Sequence, residues 1–166
     1  MEVKTLNSIE ASHLFFGEKI DKTIKDRIRF FDFRSACSLG EGMEFYTFLL
    51  DKGKIIGMAH VGYYSLNAVS ENNWSISFLS IDKNYRYKGY SKLIVEEIFK
   101  QAKNRKLEIS TSTYTVLGKE HLQKQFNVIS EKYGVKFYDK SDDWGLIDGE
   151  YMYVIIDGKK LHKNEL

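Results

Sequence analysis

The chain has 166 residues, 43% of them hydrophobic, 14% aromatic and 29% charged, with a net charge of +2. This is the composition of a globular protein, long enough for one domain with a real core. It excludes a strongly basic nucleic-acid footprint, and no apolar run reaches the roughly 18 residues of a membrane span.

One cysteine, Cys37, rules out an intrachain disulfide framework and reads as a small buried residue. The N-terminus MEVKTLNSIE lacks the basic and apolar regions of a signal peptide, so a reducing, cytoplasmic setting is expected. Proline is absent, which leaves turns to Gly, Asn, Asp and Ser.

Residues 2–6 read as a short strand. Asn7 and Glu10 form a variant capping box that starts a helix at Ser8. The segment to Phe31 is partly amphipathic through Leu14, Phe15, Ile20, Ile24 and Ile28, and predicts one or two helices. Residues 34–42 read as a loop. MEFYTFLL, DKGK and IIGMAHVGYYS predict a hairpin, followed by the polar connection SLNAVSENN.

WSISFLSI is the next strand. Trp74, Ile76 and Phe78 share one face, and Leu79 and Ile81 the other, as in a central strand covered on both sides. Leu93, Ile94, Ile98, Phe99 and Ala102 form one helical stripe. KLEISTSTYT is a strand. A helix then follows Gly118, with Leu122, Phe126, Ile129 and Tyr133 on one face and Gly134 as its stop. VKFYDK and GEYMYVII are the last strands, joined by the acidic loop SDDWGLID. This order predicts an α/β chain with a central mixed β-sheet flanked by helices. The expected boundaries are one domain over residues 1–158 and a tail over 159–166.

The stretch 74–102 carries the chemistry. A strand ends, a short basic turn with Gly89 follows, and a helix begins. Backbone N–H groups and a positive helix end then converge where an anion can sit, near Arg86, Lys88 and Lys92. Taken alone, those three cations also read as ordinary solvated surface charge.

Within that stretch, LSIDKNYRYKGYSKLI resembles the acyl-CoA-binding segment of the GCN5-related N-acetyltransferase (GNAT) superfamily. The family pattern is an apolar strand end, then Arg/Gln-x-x-Gly-x-Gly/Ala, then a helix. Leu79, Ser80, Ile81 and Asp82 stand for the strand end. Arg86, Tyr87, Lys88, Gly89, Tyr90 and Ser91 stand for the signature. Three positions depart from it: Ser91 replaces Gly or Ala, Tyr87 a common glycine, and Lys83 a common proline.

The resemblance implies a GNAT-like acyl-CoA N-acyltransferase fold and an acetyl-CoA cosubstrate without a metal. The pyrophosphate would lie on residues 86–92, including Lys92. The pantetheine arm would lie along the backbone of Leu79, Ser80 and Ile81, which would also polarise the thioester carbonyl. Direct attack by an amine in a ternary complex is the implied mechanism.

The sequence offers several candidates for the catalytic groups. The family's acid is usually a tyrosine within a pattern matched here by Ile129 to Val135, but Ser130 occupies that position and is far less acidic. Tyr133, on the same face, and Tyr114 are the candidates in its place; each also reads as a packing residue. The usual base positions on the fourth strand correspond to Ser75 and Ser77, which can only order a water. His60 on the preceding strand suits proton transfer near neutrality, and reads equally as a satisfied structural histidine.

Asp142 and Asp143 beside Trp144 suit a cationic amine acceptor, or form a solvated hairpin tip. The leading expectation is an acetyl-CoA-dependent N-acetyltransferase acting on a small-molecule or protein amine, with a homodimer compatible. The alternatives are an acyl-CoA-binding sensor without turnover, or transfer of another acyl group to a protein or nucleobase.

Overall fold

The computed structural model describes residues 1–17, 44–63, 74–111, 116–139 and 154–158. In chain order these form β1 (Glu2–Leu6), α1 (Ser8–Gly17), β2 (Glu44–Asp51), β3 (Lys54–Tyr63) and β4 (Trp74–Ile81). A 3₁₀ turn (Lys83–Tyr85), α2 (Ser91–Arg105), β5 (Glu108–Thr111), α3 (Val116–Tyr133), β6 (Lys136–Asp139) and β7 (Val154–Asp157) follow. The chain divides into two compact units, Met1–Tyr63 with Ile76–Glu97, and Tyr64–Ser75 with Ile98–Leu166.

In the first unit, β1 and β2 are antiparallel, as are β2 and β3, and β4 lies beside β3. The capping box forms as read. Asn7 Oδ1 accepts from the Glu10 N–H at 2.9 Å, and Glu10 Oε2 accepts from the Asn7 N–H at 3.1 Å. The hairpin turn is tighter than the sequence suggests. Asp51 and Lys54 already pair across the strands, leaving Lys52 and Gly53 as the loop, both with positive φ (49° and 80°). That geometry follows the twist of the strands, and glycine adopts it without strain.

Alternation on β2 and β3 places Tyr46, Phe48 and Met58 in one core with Phe78 and the α1 residues Ala11 and Phe15. The strand 74–81 matches its predicted bounds, and Trp74, Ile76 and Phe78 are buried as expected. At Gly57 on β3 an added Cβ would lie 2.6 Å from Ile81 Cδ1 and 3.0 Å from Ile94 Cδ1. The absent side chain lets β4 and the first turn of α2 approach β3 closely, which fixes the ends of the segment between them.

In the second unit, β7 pairs antiparallel with both β5 and β6. Phe126 packs between Phe99 and Phe137, with ring centroids 5.5 and 5.7 Å away. Such tilted aromatic pairs are worth about 1 kcal/mol beyond their burial. The helix expected after Gly118 begins earlier, at Val116, and so includes that glycine. Its end is as read: Gly134 has φ 61°, and the Val135 N–H reaches back to Ser130 O at 3.2 Å. The strand read from residue 106 begins at Glu108, because α2 ends with Lys106 at φ 55° and the Leu107 N–H bonded to Ala102 O; residues 112–115 of that reading lie outside the described residues. Val95, outside the predicted stripe, is buried.

Candidate functional site

Asp82 organises the turn after β4. It is fully buried. Its N–H donates to Ile56 O at 2.8 Å, which ties the end of β4 to β3. Its Oδ1 accepts from the Asn84 N–H at 2.9 Å, capping the 3₁₀ turn, and its Oδ2 accepts from Lys54 Nζ at 3.3 Å. Lys83 is the first residue of that turn, where no N–H partner is needed. This explains in physical terms why proline suits the position.

Tyr85 anchors the other end of the turn by donating its hydroxyl to Asp51 Oδ2 at 3.3 Å. Partial burial, and then the charge and hydrogen bond of Asp51, push the Tyr85 phenol above its ordinary 10.0. Lys54 and Lys88 each lie 5.6 Å from the Tyr85 ring centroid.

The signature segment is held from within. Arg86 Nε donates to Ile81 O at 3.0 Å, and Lys88 Nζ donates to Asn84 O at 3.2 Å. Ile81 O is therefore engaged by Arg86. Tyr87 is 84% exposed and left-handed, with φ 61°. This conformation accounts for the glycine common at its position, and it strains a tyrosine. Gly89 follows with φ 77° and nothing within 4 Å of an added Cβ, so the space in front of it is open.

Bonds from the Lys92 N–H to Gly89 O and from the Leu93 N–H to Tyr90 O, both 3.1 Å, start α2. Among the described residues, the N–H groups of Gly89 and Tyr90 have no acceptor. Lys83, Arg86, Lys88 and Lys92 are exposed, while the one acid of this segment, Asp82, is turned inward. The result is an outward positive surface with unpaired N–H donors at a helix start, an arrangement suited to a phosphate. Ser80 and Ile81 are each 8% exposed, and Leu79 is half-buried.

A second constellation lies in the same unit. His60 is 3% exposed, with Nε2 2.8 Å from Glu44 Oε2 and Nδ1 2.7 Å from Ser77 Oγ. Tyr46 OH donates to the same Glu44 oxygen at 3.4 Å, and its ring centroid is 4.6 Å from the imidazole. Phe78 lies 6.0 Å from His60.

The register explains the contact. Glu44 pairs with Gly62, and Tyr46 with His60, so Glu44 and His60 are diagonal neighbours on one face. A Cβ on Gly62 would lie 2.8 Å from His60 Cε1, so the bare glycine leaves room for the ring. The sequence reading missed Glu44. The available signal was a charge in phase with Tyr46 and Phe48 on a core-facing strand.

The other candidates are placed as follows. In the second unit Tyr133 is half-buried, with Lys132 Nζ 5.2 Å and Lys100 Nζ 5.6 Å from its ring. Ser130 Oγ bonds to Asn127 O of its own helix at 2.9 Å. Tyr114, Asp142, Asp143, Trp144 and Cys37 lie outside the described residues. No group of side chains suited to a metal occurs among the described residues, and no helix there is long and apolar enough to cross a membrane.

The model of the Acetyltransferase (GNAT) family matches residues 8–122, well over half of the chain. No curated protein matches the sequence. Among solved structures, the chain is similar to Tetrahymena GCN5, with a TM-score of 0.55 and 12% identity, over 97% of this chain and 99% of that one. It is also similar to aminoglycoside 6'-acetyltransferase type Ii, with a TM-score of 0.54 and 12% identity, over 98% and 100% of the two chains. A third is an aminoglycoside acetyltransferase from an uncultured soil metagenomic sample, with a TM-score of 0.55 and 16% identity, over 77% and 89%. At these identities the likeness concerns the fold.

Proposed function

The chain belongs to the acetyltransferase (GNAT) family, and we propose that it moves the acetyl group of acetyl-CoA to an amine by direct attack in a ternary complex. The observation that carries this reading is the turn from Asp82 to Lys92. Its acid is buried as a cap, its cations are exposed, and open space faces Gly89.

The pyrophosphate of acetyl-CoA takes the N–H groups around Gly89, Tyr90 and Ser91, with Arg86, Lys88 and Lys92 supplying positive charge. Tyr87 stands exposed at the rim. The pantetheine arm runs along the backbone of Leu79, Ser80 and Ile81, and a backbone N–H there stabilises the oxyanion formed when the amine attacks.

The acceptor is an amine. The acidic residues Asp142 and Asp143 beside Trp144 are the sequence feature that suits a cationic one. The aminoglycoside acetyltransferases among the structural neighbours support a polyamine as the first class to try.

The test uses acetyl-CoA labelled in its acetyl group with three amines: tobramycin, spermidine and a lysine-bearing peptide. The expected result is release of coenzyme A thiol matched by labelled amide in one of them. Thiol release with the label in acetate for all three would overturn N-acetyltransfer. Absence of acetyl-CoA binding would overturn the donor site.

A further inference from the structure

We propose that Glu44, His60 and Ser77 form a proton relay in which Ser77 Oγ takes the proton from the attacking amine. This rests on the donor placement above, since Ser77 lies two residues before Leu79 on β4. Residues i and i+2 of a strand share a face, roughly 6.6 Å apart along it.

The geometry fixes the direction of the relay. Glu44 is 5% exposed, and its Oε2 is 2.8 Å from His60 Nε2. A carboxylate there holds the imidazole proton on Nε2. Nδ1, 2.7 Å from Ser77 Oγ, is then left as the acceptor for the Ser77 hydroxyl proton. The Tyr46 and Phe78 rings flank the imidazole and hold its orientation. Ser77, at the outer end, is half-buried, whereas His60 and Glu44 are enclosed.

Glu44 Oε1 is buried with no hydrogen-bond partner among the described residues. A structural ion pair is expected to satisfy both oxygens, because an orphaned charged oxygen destabilises the fold. An incompletely solvated carboxylate instead strengthens the pull on the imidazole proton.

In the reaction, the amine nitrogen bonds to the acetyl carbon. Its proton moves to Ser77 Oγ as the Ser77 proton moves to His60 Nδ1, and Glu44 stabilises the resulting imidazolium. The carbon–sulfur bond then breaks. The thiolate gains a proton returned from the imidazolium through Ser77, leaving amide, thiol and the starting relay. His60 and Glu44 act through Ser77 and are positioning residues; only Ser77 touches the substrate.

The test is a double-mutant cycle of Ser77→Ala and His60→Gln, using whichever of tobramycin, spermidine or a lysine peptide the wild-type chain acetylates. Each single change is expected to lower kcat about 100-fold, the usual worth of a general base. The acetyl-CoA dissociation constant should not change. The double variant should be no slower than either single, because the two groups act as a unit. Ser77→Thr, which keeps the hydroxyl, should restore most of the rate.

Independent, multiplying losses, or an unchanged kcat in Ser77→Ala, would overturn the relay. Accumulation of acetyl-Ser77 in intact-protein mass spectra would also overturn it, making Ser77 a nucleophile. Acetyl-CoA binding by wild type without acetylation of any of the three amines would overturn the relay and leave the donor site standing. Loss of acetyl-CoA binding in wild type would remove the donor site, and the relay with it.

Discussion

Two buried carboxylates lie in the same unit, and the chain around them treats them differently. Asp82 is fully enclosed, and its two oxygens face Asn84 and Lys54. The Lys54 ammonium is itself half-exposed, so this charge is compensated from a screened position. Glu44 is enclosed almost as fully, yet one oxygen serves both His60 and Tyr46 and the other serves nothing among the described residues. Asp82 is used for construction: it caps a turn and sets where β4 ends. Glu44 is arranged for leverage on an imidazole. The comparison separates a device that shapes the proposed donor surface from the proposed proton relay.

Three expectations test that separation. The largest concerns Glu44→Ala, which strips His60 of its partner and leaves a void. Urea unfolding is expected to show a loss of about 3 kcal/mol, from the buried His60 N–H left without an acceptor and the cavity beside it. Asp82→Asn keeps the cap oxygen but turns an NH2 that cannot accept toward the half-exposed lysine, so its cost is expected to be about 1 to 2 kcal/mol. Equal costs for the two would erase the contrast.

The second expectation is a pH effect at the edge of the turn. The Tyr85 phenol is raised above 10.0, so the folded chain keeps this proton after the unfolded chain has lost it. Its contribution to stability is therefore complete below pH 10 and falls as pH rises through the folded value. Ultraviolet titration of the phenolates should lose one late-ionising component in Tyr85→Phe relative to wild type. Alkaline unfolding should also be less steep in that variant. Identical titrations would show that Asp51 does not act on Tyr85.

The smallest concerns Lys52, left-handed at φ 49° in the hairpin turn. Lys52→Asn is expected to gain about 0.5 kcal/mol, because asparagine adopts this conformation more readily. A loss would mean that the turn geometry is not governed by residues 52 and 53.

Much of the first device could be read directly, because it is local. The strand 74–81, the turn and the helix from Ser91 are contiguous, and Arg86 to Ser91 carry a recognisable pattern. The mixed-sheet α/β expectation is borne out by the family match and by the fold of the structural neighbours. The capping box at Asn7 and Glu10 is local too, and it forms as read.

The second device is not local. Glu44, His60 and Ser77 come from three strands, and their meeting depends on a register in which Glu44 faces Gly62. Sequence reasoning treated His60 and Ser77 as separate candidates, since nothing in their spacing links them. Helix starts and ends were similarly weak where tertiary context decides. Lys106 ends α2 in a left-handed conformation that no glycine announces, and α3 starts ahead of Gly118.

The central claim is that acetyl-CoA binds at the turn around Gly89, and calorimetric titration of acetyl-CoA into wild type, Gly89→Ala and Gly89→Asp tests it most directly. Open space faces Gly89, so an alanine methyl meets no neighbour and costs only the left-handed strain of about 1 kcal/mol in stability. The aspartate adds a negative charge where the pyrophosphate lies. Binding by Gly89→Asp is expected to be at least about 100-fold weaker than wild type, since like charges in contact cost several kcal/mol. If a folded Gly89→Asp protein bound acetyl-CoA as tightly as wild type, the donor would lie elsewhere and the account would be wrong.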